Sequence, residues 1–216
     1  MQRRNFLTRS ALGATAATAL AAPAIAQSAR PDIRWRLASS YPKSLDTIYG
    51  AVDMMCKRVG ELTGGRFRIS LHAAGELLPA LQVLDGVQNG TIEAGHSASY
   101  FYIGKDPAFG FGTALPFGMG TRAQNAWMYV GGGIELLNEF YANYGVTAMP
   151  VGNTGAQMAG WYRKEIKTVA DFNGLKMRVG GLAGKVLAKL GVVAQQLPPG
   201  DLYQALEKGV IDAAEF

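Results

Sequence analysis

Cysteine is almost absent from this 216-residue chain, whose single example is Cys56. One thiol cannot form an internal disulfide, and the chain has no Cys-x-x-Cys pair of the kind that serves zinc or redox sites. Cys56 occupies an apolar position of a helical pattern, which favours a small buried hydrophobic residue; a reactive nucleophile is the alternative. A domain stabilised by internal disulfide bonds is therefore excluded, and thiol chemistry is disfavoured.

Histidine is also scarce, since only His72 and His96 are present. Catalysis needs an activated nucleophile, or a general base with a partner that orients it. The sequence contains neither a Gly-x-Ser-x-Gly elbow nor a His-Glu-x-x-His helix. We therefore expect a binding protein without catalytic activity, and an enzyme with His96 as its base is the alternative.

Charge is low and nearly balanced. The chain has 21 Lys and Arg against 16 Asp and Glu, a net charge of +5. Without Arg3, Arg4 and Arg9 near the N-terminus, 18 basic and 16 acidic residues remain, a net charge of +2. No dense cluster of Lys and Arg is left of the kind that binds a phosphate backbone. Nucleic acid is therefore not an expected partner.

Long apolar runs are confined to the N-terminus. Arg3-Arg4 and Phe6-Leu7 precede an uncharged Ala-rich run over residues 11–22, and a small-x-small cleavage site ends at Ala26. This pattern predicts that residues 1–26 are a twin-arginine signal peptide, removed on export. A membrane helix is the alternative, but the run is shorter than the roughly 20 residues needed to span. The mature chain is not expected to span a membrane.

The rest of the chain alternates between strand and helix patterns, which implies an α/β fold with a mostly parallel sheet. Residues 100–120 are rich in Gly, Phe and Pro and are predicted as a loop. The predicted strands are Ile33–Ala38, Phe67–Leu71, Ile92–Ala94, Val146–Val151, Gln157–Tyr162, Leu175–Val179 and Val192–Gln196. The predicted helices are Asp46–Leu62, Leu77–Val87, Arg122–Tyr129, Ile134–Tyr144, Ala183–Leu190 and Leu202–Lys208.

A weak internal repeat relates two parts of the chain. Val87–Ala94 can be aligned with Leu206–Ala213, because each contains a helix end, a glycine, a β-branched residue, Ile, an acid and Ala. The repeat predicts two similar α/β lobes that each deliver a strand to one cleft. Coincidence between two common helix–Gly–strand units is the alternative.

Arg178 is the strongest candidate for binding a ligand. It lies in the strand pattern Leu175–Val179, directly before Gly180-Gly181 and the start of a helix. The planar guanidinium matches a carboxylate, with ionic hydrogen bonds that contribute roughly 1.5–3 kcal/mol, and a helix N-terminus also favours an anion. An arginine that faces solvent from a strand is the alternative.

Gln157 and Glu215 form a second candidate pair. A Glu beside an aromatic residue at the rim of a cleft can supply oxygen to a hard cation. Strand-end Gln and Glu side chains that are simply solvated are the alternative.

Four segments of the chain carry a family resemblance: Ser39–Asp46, Gly152–Met158, Lys176–Gly181 and Gly209–Phe216. Together they resemble the extracytoplasmic solute-binding subunit of TRAP transporters, a DctP-like family, in the subgroup that captures 2-oxo and 2-hydroxy monocarboxylates. The resemblance extends from about Ile33 to the end of the sequence.

The resemblance implies a two-lobed α/β fold of the periplasmic-binding-protein kind, with lobe I over residues 27–150 and lobe II over residues 151–216. Family members continue past the position of Phe216. A truncated second lobe that lacks covering elements is therefore expected, and a chain that folds poorly by itself. Some relatives dimerise through C-terminal helices, so a homodimer is implied for the full-length form.

The resemblance also implies the site, in which a sodium or calcium ion bridges the ligand and the protein. The implied ligand-binding residues are Arg178, Gln157, Tyr100 and Phe101, and the implied metal ligands are Gln157, Glu215 and the backbone carbonyl of Phe216. Many subgroup members have Trp at the last position, a change that a backbone carbonyl survives.

The implied function is periplasmic capture of a small organic-acid anion and its delivery to TRAP membrane permease subunits. A ligand-binding subunit of a periplasmic sensor is the alternative, and nothing within the sequence separates the two.

Overall fold

A computed structural model describes residues 32–216, so the signal peptide predicted for residues 1–26 lies outside the described residues. Strands β1–β7 are Ile33–Ser39, Phe67–His72, Ala94–His96, Trp161–Tyr162, Lys176–Arg178, Val193–Gln195 and Ala213–Ala214. Helices α1–α6 are Asp46–Leu62, Val83–Gln88, Thr121–Val130, Gly133–Ala142, Gly181–Ala188 and Leu202–Glu207. Within residues 32–216 no helix is both long enough and apolar enough to cross a membrane.

The strands form two separate sheets. In the first, β1 lies between β2 and β3, and all three strands are parallel. In the second, β5 lies between β6 and β7 in the same parallel arrangement, and β4 adds an antiparallel edge beside β7. The predicted α/β class with mostly parallel sheets is confirmed. The division into lobes at residue 150 stays a prediction.

The two aligned segments of the proposed internal repeat share a backbone conformation. Gly90 and Gly209 follow their helices with φ of 68° and 67°, a left-handed conformation that L side chains rarely adopt. After each glycine, two successive amides donate to one carbonyl inside the preceding helix. These bonds run from Thr91 and Ile92 to Gly86, and from Val210 and Ile211 to Ala205. Each unit then delivers a strand, β3 or β7, to the middle strand of its sheet.

Helix α1 covers one face of the first sheet because its apolar residues recur at helical spacing. Val52 and Cys56 are buried in a cluster with Leu37 of β1. Burial raises the pKa of the Cys56 thiol, so the reactive thiolate is disfavoured. The prediction of a buried, hydrophobic role for Cys56 is confirmed.

The strand predicted at Val146–Val151 is wrong. This segment has no regular secondary structure. The side chain of Asn138 on α4 accepts from the Ala148 amide at 2.8 Å and donates to its carbonyl at 2.9 Å. Both backbone groups are therefore satisfied by a side chain, and no neighbouring strand is needed there.

Other boundaries also differ from the predictions, among them three at α2, β3 and β4. Helix α2 begins at Val83 rather than Leu77, because Pro79 is extended with ψ of 140° and a 3-10 turn intervenes. The strand predicted from Ile92 begins two residues later, since the Ile92 amide still caps the helix. The strand predicted from Gln157 is reduced to the two residues of β4.

The core of the second sheet provides a test of this packing. Met177 on β5 is fully buried, so Met177→Ala should lower the free energy of unfolding by about 2–5 kcal/mol through the cavity it leaves. Met149 is 72% exposed, and Met149→Ala should change it by less than about 0.5 kcal/mol. Urea unfolding of the two variants measures the difference, and equal effects would contradict the described core.

Candidate functional site

Polar residues collect where the parallel strands end. Ser39 and His96 end β1 and β3 in the first sheet, Arg178 ends β5 in the second, and Glu215 directly follows β7. In open α/β sheets, ligands bind beyond the carboxyl ends of the strands, at the point where the chain crosses from one side of the sheet to the other. Both sheets have such a point. In the first sheet β2 and β3 lie on opposite sides of β1, and in the second β6 and β7 lie on opposite sides of β5.

Arg178 is completely buried, with 0% of its surface exposed. Its Nη1 donates to the backbone carbonyl of Glu215 at 2.5 Å and to the carboxylate oxygen Oε2 of the same residue at 3.2 Å. Its Nε donates to the carbonyl of Leu197 at 3.3 Å. The alternative of a solvent-facing arginine is therefore excluded by the structure.

The second terminal nitrogen of this guanidinium, Nη2, is buried and has no hydrogen-bond partner among residues 32–216. A buried donor that lacks an acceptor costs about 1–3 kcal/mol, and more when it is charged. Native structures contain few such groups, and each calls for a reason. A ligand can supply the missing acceptor, and a carboxylate is the acceptor that best matches a guanidinium.

Glu215 is the charge partner of Arg178. Its pKa is raised above the ordinary value because burial disfavours the charged carboxylate, and the positive charge of Arg178 partly opposes this rise. Their contact uses only one of the carboxylate oxygens, Oε2. A carboxylate with incomplete compensation in a partly buried position fits a hard cation, which prefers oxygen ligands.

Two aromatic side chains lie near the guanidinium. The ring of Phe216 lies 5.3 Å from the Arg178 carbon Cζ, within the range of a cation–π contact. Tyr100 and Phe101 pack against each other with ring centroids 4.6 Å apart. Burial raises the pKa of the Tyr100 hydroxyl, and the nearby charge of Arg178 opposes this rise. The structure therefore places Tyr100 and Phe216 near Arg178, and their roles in binding stay predictions.

Tyr41 was not among the sequence-based candidates. Burial raises the pKa of its hydroxyl, with a smaller opposing effect from Arg178. Its ring lies 6.2 Å from that of Phe101 and 5.0 Å from that of His96. The signal that could have found it is position, because Tyr41 follows β1 within the segment Ser39–Asp46 that carried the family resemblance.

Gln157 lies apart from these contacts. It is exposed, and its amide donates to the Thr154 hydroxyl at 3.4 Å. The described part of the chain also contains no cluster of three or more His, Cys, Asp or Glu side chains that could hold a metal. Of the three implied metal ligands, Glu215 and Phe216 therefore lie beside Arg178. Gln157 forms its hydrogen bond with Thr154 instead.

His96, the alternative candidate for a catalytic base, packs at the end of the first sheet. Its Nδ1 lies 3.0 Å from the Ser39 hydroxyl oxygen, and its ring packs on Tyr41. Burial lowers the pKa of His96 to about 4, so the ring is neutral at physiological pH. The structure therefore describes a neutral imidazole that packs on an aromatic ring and contacts the Ser39 hydroxyl.

Comparisons with known proteins identify the family. Residues 38–216 match the family described as bacterial extracellular solute-binding protein, family 7, or DctP. The chain belongs to this family. Its members are solute-binding proteins.

Three members of the family have sequences similar to this chain. The monocarboxylate 2-oxoacid-binding periplasmic protein of Nostoc sp. is 52% identical, over 100% of this chain and 60% of its own length. A TRAP transporter solute-binding protein from Bordetella bronchiseptica, solved with calcium and picolinate, is 57% identical with a TM-score of 0.84. One from Pseudoalteromonas atlantica, solved with sodium and pyruvate, is 48% identical with a TM-score of 0.82.

Both structural matches cover 86% of this chain. They cover only 55% and 56% of the two solved chains, so this chain spans little more than half of their length.

The neutral ring of His96 gives a prediction for stability against pH. Its folded pKa of about 4 lies below the unfolded value of about 6.5, so the unfolded state binds the proton more readily between these values. The contribution of the neutral His96 ring to the free energy of unfolding should be fully present above about pH 6.5, and it should fall as the pH drops towards 4. The loss from this group is at most about 3 kcal/mol.

Urea unfolding at several pH values measures this effect. His96→Asn should remove much of the slope between pH 6.5 and 4, while His72→Gln, at a half-buried histidine outside the site, should retain it. Glu215 contributes with the opposite sign, because its pKa is raised, but it is common to all three proteins. An unchanged slope in His96→Asn would contradict the assignment.

Proposed function

We propose that this chain is the ligand-binding part of an exported solute-binding protein of the TRAP type. In this proposal it captures a small organic-acid anion, a 2-oxo or 2-hydroxy monocarboxylate. The single observation that carries the proposal is the buried guanidinium of Arg178, whose Nη2 has no partner in the described residues. The ligands named for the relatives, 2-oxoacids, pyruvate and picolinate, are all carboxylates or carboxylic acids, which supports it.

The contacts of Arg178 explain why an anion would be held firmly. Its Nη1 and Nε are engaged by Glu215 and Leu197, so the guanidinium plane is fixed before a ligand arrives. A fixed plane loses little conformational entropy on binding, and Nη2 gains an ionic hydrogen bond. Arg178 is buried away from water, which strengthens that bond. Arg178, Tyr100 and Phe101 are thus the proposed ligand-binding residues, with Gln157.

A cation is part of the proposal. Glu215, the carbonyl of Phe216 and the amide oxygen of Gln157 would hold a sodium or calcium ion, which would supply positive charge beside the ligand carboxylate. Calcium and sodium accompany the ligands in the two solved relatives, which supports this role. The partly compensated carboxylate of Glu215 suits such an ion. Gln157 would have to leave its present contact with Thr154.

The location and partners follow from the family. The Nostoc relative is named as a periplasmic protein, and the family description is extracellular. We propose that this protein works in the periplasm and passes its ligand to membrane permease subunits, without catalysing a reaction. A homodimer in the full-length protein completes the proposal. Permease genes beside its own gene would support transport over the alternative role in a sensor.

The role of Arg178 can be tested without removing its charge. Arg178→Lys keeps a cation but loses the planar fork, so affinity for pyruvate should fall by about 10- to 100-fold. Isothermal titration calorimetry on the full-length protein measures this, with pyruvate, lactate and branched 2-oxo acids. Arg58→Lys, at an exposed arginine on α1, serves as the matched control. Unchanged affinity in a folded Arg178→Lys protein would refute the assignment.

The role of Glu215 is tested by dependence on the cation. In the original protein, ligand affinity should rise when sodium or calcium is added after chelation. In Glu215→Gln this dependence should be lost, because the amide carries no charge, while Glu207→Gln on the exposed face of α6 should keep it. The raised pKa of Glu215 also means that the cation effect should fade on acidification earlier than for an ordinary Glu. Full cation dependence in Glu215→Gln would contradict the proposal.

A further inference from the structure

Gln196 directly follows β6 and joins two distant parts of the site. Its amide nitrogen donates a 2.8 Å hydrogen bond to the backbone carbonyl of Phe101, 95 positions away in the sequence. Its amide oxygen lies 3.5 Å from the backbone nitrogen of Gly181, at the start of α5. The Gln196 side chain therefore links the second sheet to the turn Ser99–Tyr102, which follows the first sheet and is called the aromatic turn below.

The residue after Gln196 holds the guanidinium. The Leu197 carbonyl accepts from Nε of Arg178 at 3.3 Å. The dipeptide 196–197 therefore fixes both the backbone beneath Phe101 and the orientation of Arg178. If the Phe101 backbone moves relative to the Arg178 guanidinium, a hydrogen bond made by Gln196 or Leu197 has to break.

The packing of Tyr100 shows how closely the turn fits the second sheet. A Cβ atom placed on Gly180 would lie 2.5 Å from the Tyr100 ring, and one on Gly181 would lie 3.0 Å from its Cβ. Gly181 also has φ of +64°, a left-handed conformation that disfavours other residues. The ring thus rests on bare backbone beside Arg178. Such a fit depends on something that holds the turn in place, and Gln196 provides the hydrogen bond there.

We propose that Gln196 is a positioning residue for ligand binding. It does not contact the ligand; through the carbonyl of Phe101 it keeps Tyr100 beside Arg178 and so sets how long the anion stays bound. Release requires the turn to separate from the second sheet, and the bond to Phe101 opposes that separation. This inference rests on the proposed function, because its consequence is measured as affinity for an organic acid.

Two substitutions of Gln196 test this role in the full-length protein. Gln196→Ala removes the bond, and Gln196→Glu keeps the size but replaces the N–H donor with an acceptor that faces the Phe101 carbonyl. Affinity for pyruvate should fall about 3- to 10-fold in Gln196→Ala, and at least as much in Gln196→Glu. Stopped-flow measurement should place the change in the dissociation rate, with association within about twofold.

Gln204→Ala is the matched control, because Gln204 is exposed on α6. It should leave both rates unchanged. A merely structural role for Gln196 would lower the melting temperature and leave the dissociation rate as it was, and that result would overturn the inference. Equal affinity in all four proteins would overturn it as well.

Hydrogen exchange separates this inference from the proposed function. In ligand-free protein, amides of residues 99–102 should exchange faster in Gln196→Ala than in the original protein or Gln204→Ala, because the turn is less firmly held. Failure of the original protein to bind any organic acid would refute the proposed function and its consequence for affinity. Unchanged exchange in this segment would refute the positioning role on its own, whatever the ligand.

Discussion

The buried guanidinium of Arg178 constrains the rest of the site. Removing a charge from water costs several kcal/mol unless partners replace the lost hydration. In this protein Glu215 and the Leu197 carbonyl replace the lost hydration. The nitrogen Nη2 of Arg178 has no partner among the described residues. Because each partner lies just beyond the end of a strand, the position of the arginine fixes how β5, β6 and β7 must end. The proposed ligand site is therefore built around the contacts that satisfy one buried charge.

The sequence was informative where structure is local. The amphipathic period of α1 predicted its bounds, and the repeated helix–Gly–strand pattern corresponds to a repeated backbone conformation at Gly90 and Gly209. Arg178 could be found because a strand, two glycines and a helix start follow one another directly. Each of these signals depends on neighbours within about ten residues, and short-range sterics and hydrogen bonding determine them.

The sequence failed where distant residues decide. An apolar run at Val146–Val151 has the composition of a strand, but Asn138 satisfies the backbone of Ala148 and no strand forms. Tyr41 and Gln196 have no local property that marks them, because their roles depend on partners brought close by the fold. A position just after a parallel strand was the available signal, and it applies equally to many residues that do nothing.

Charge balance connects the arginine with the cation. Arg178 and Glu215 already form a neutral pair, so a bound monocarboxylate would leave one uncompensated negative charge in a partly buried site. A sodium ion would restore neutrality, and a calcium ion would leave one positive charge. Without a cation, the ligand would have to displace Glu215 from Arg178 or bind weakly. The presence of Glu215 thus explains why an anion-binding site built on an arginine would also require a metal ion.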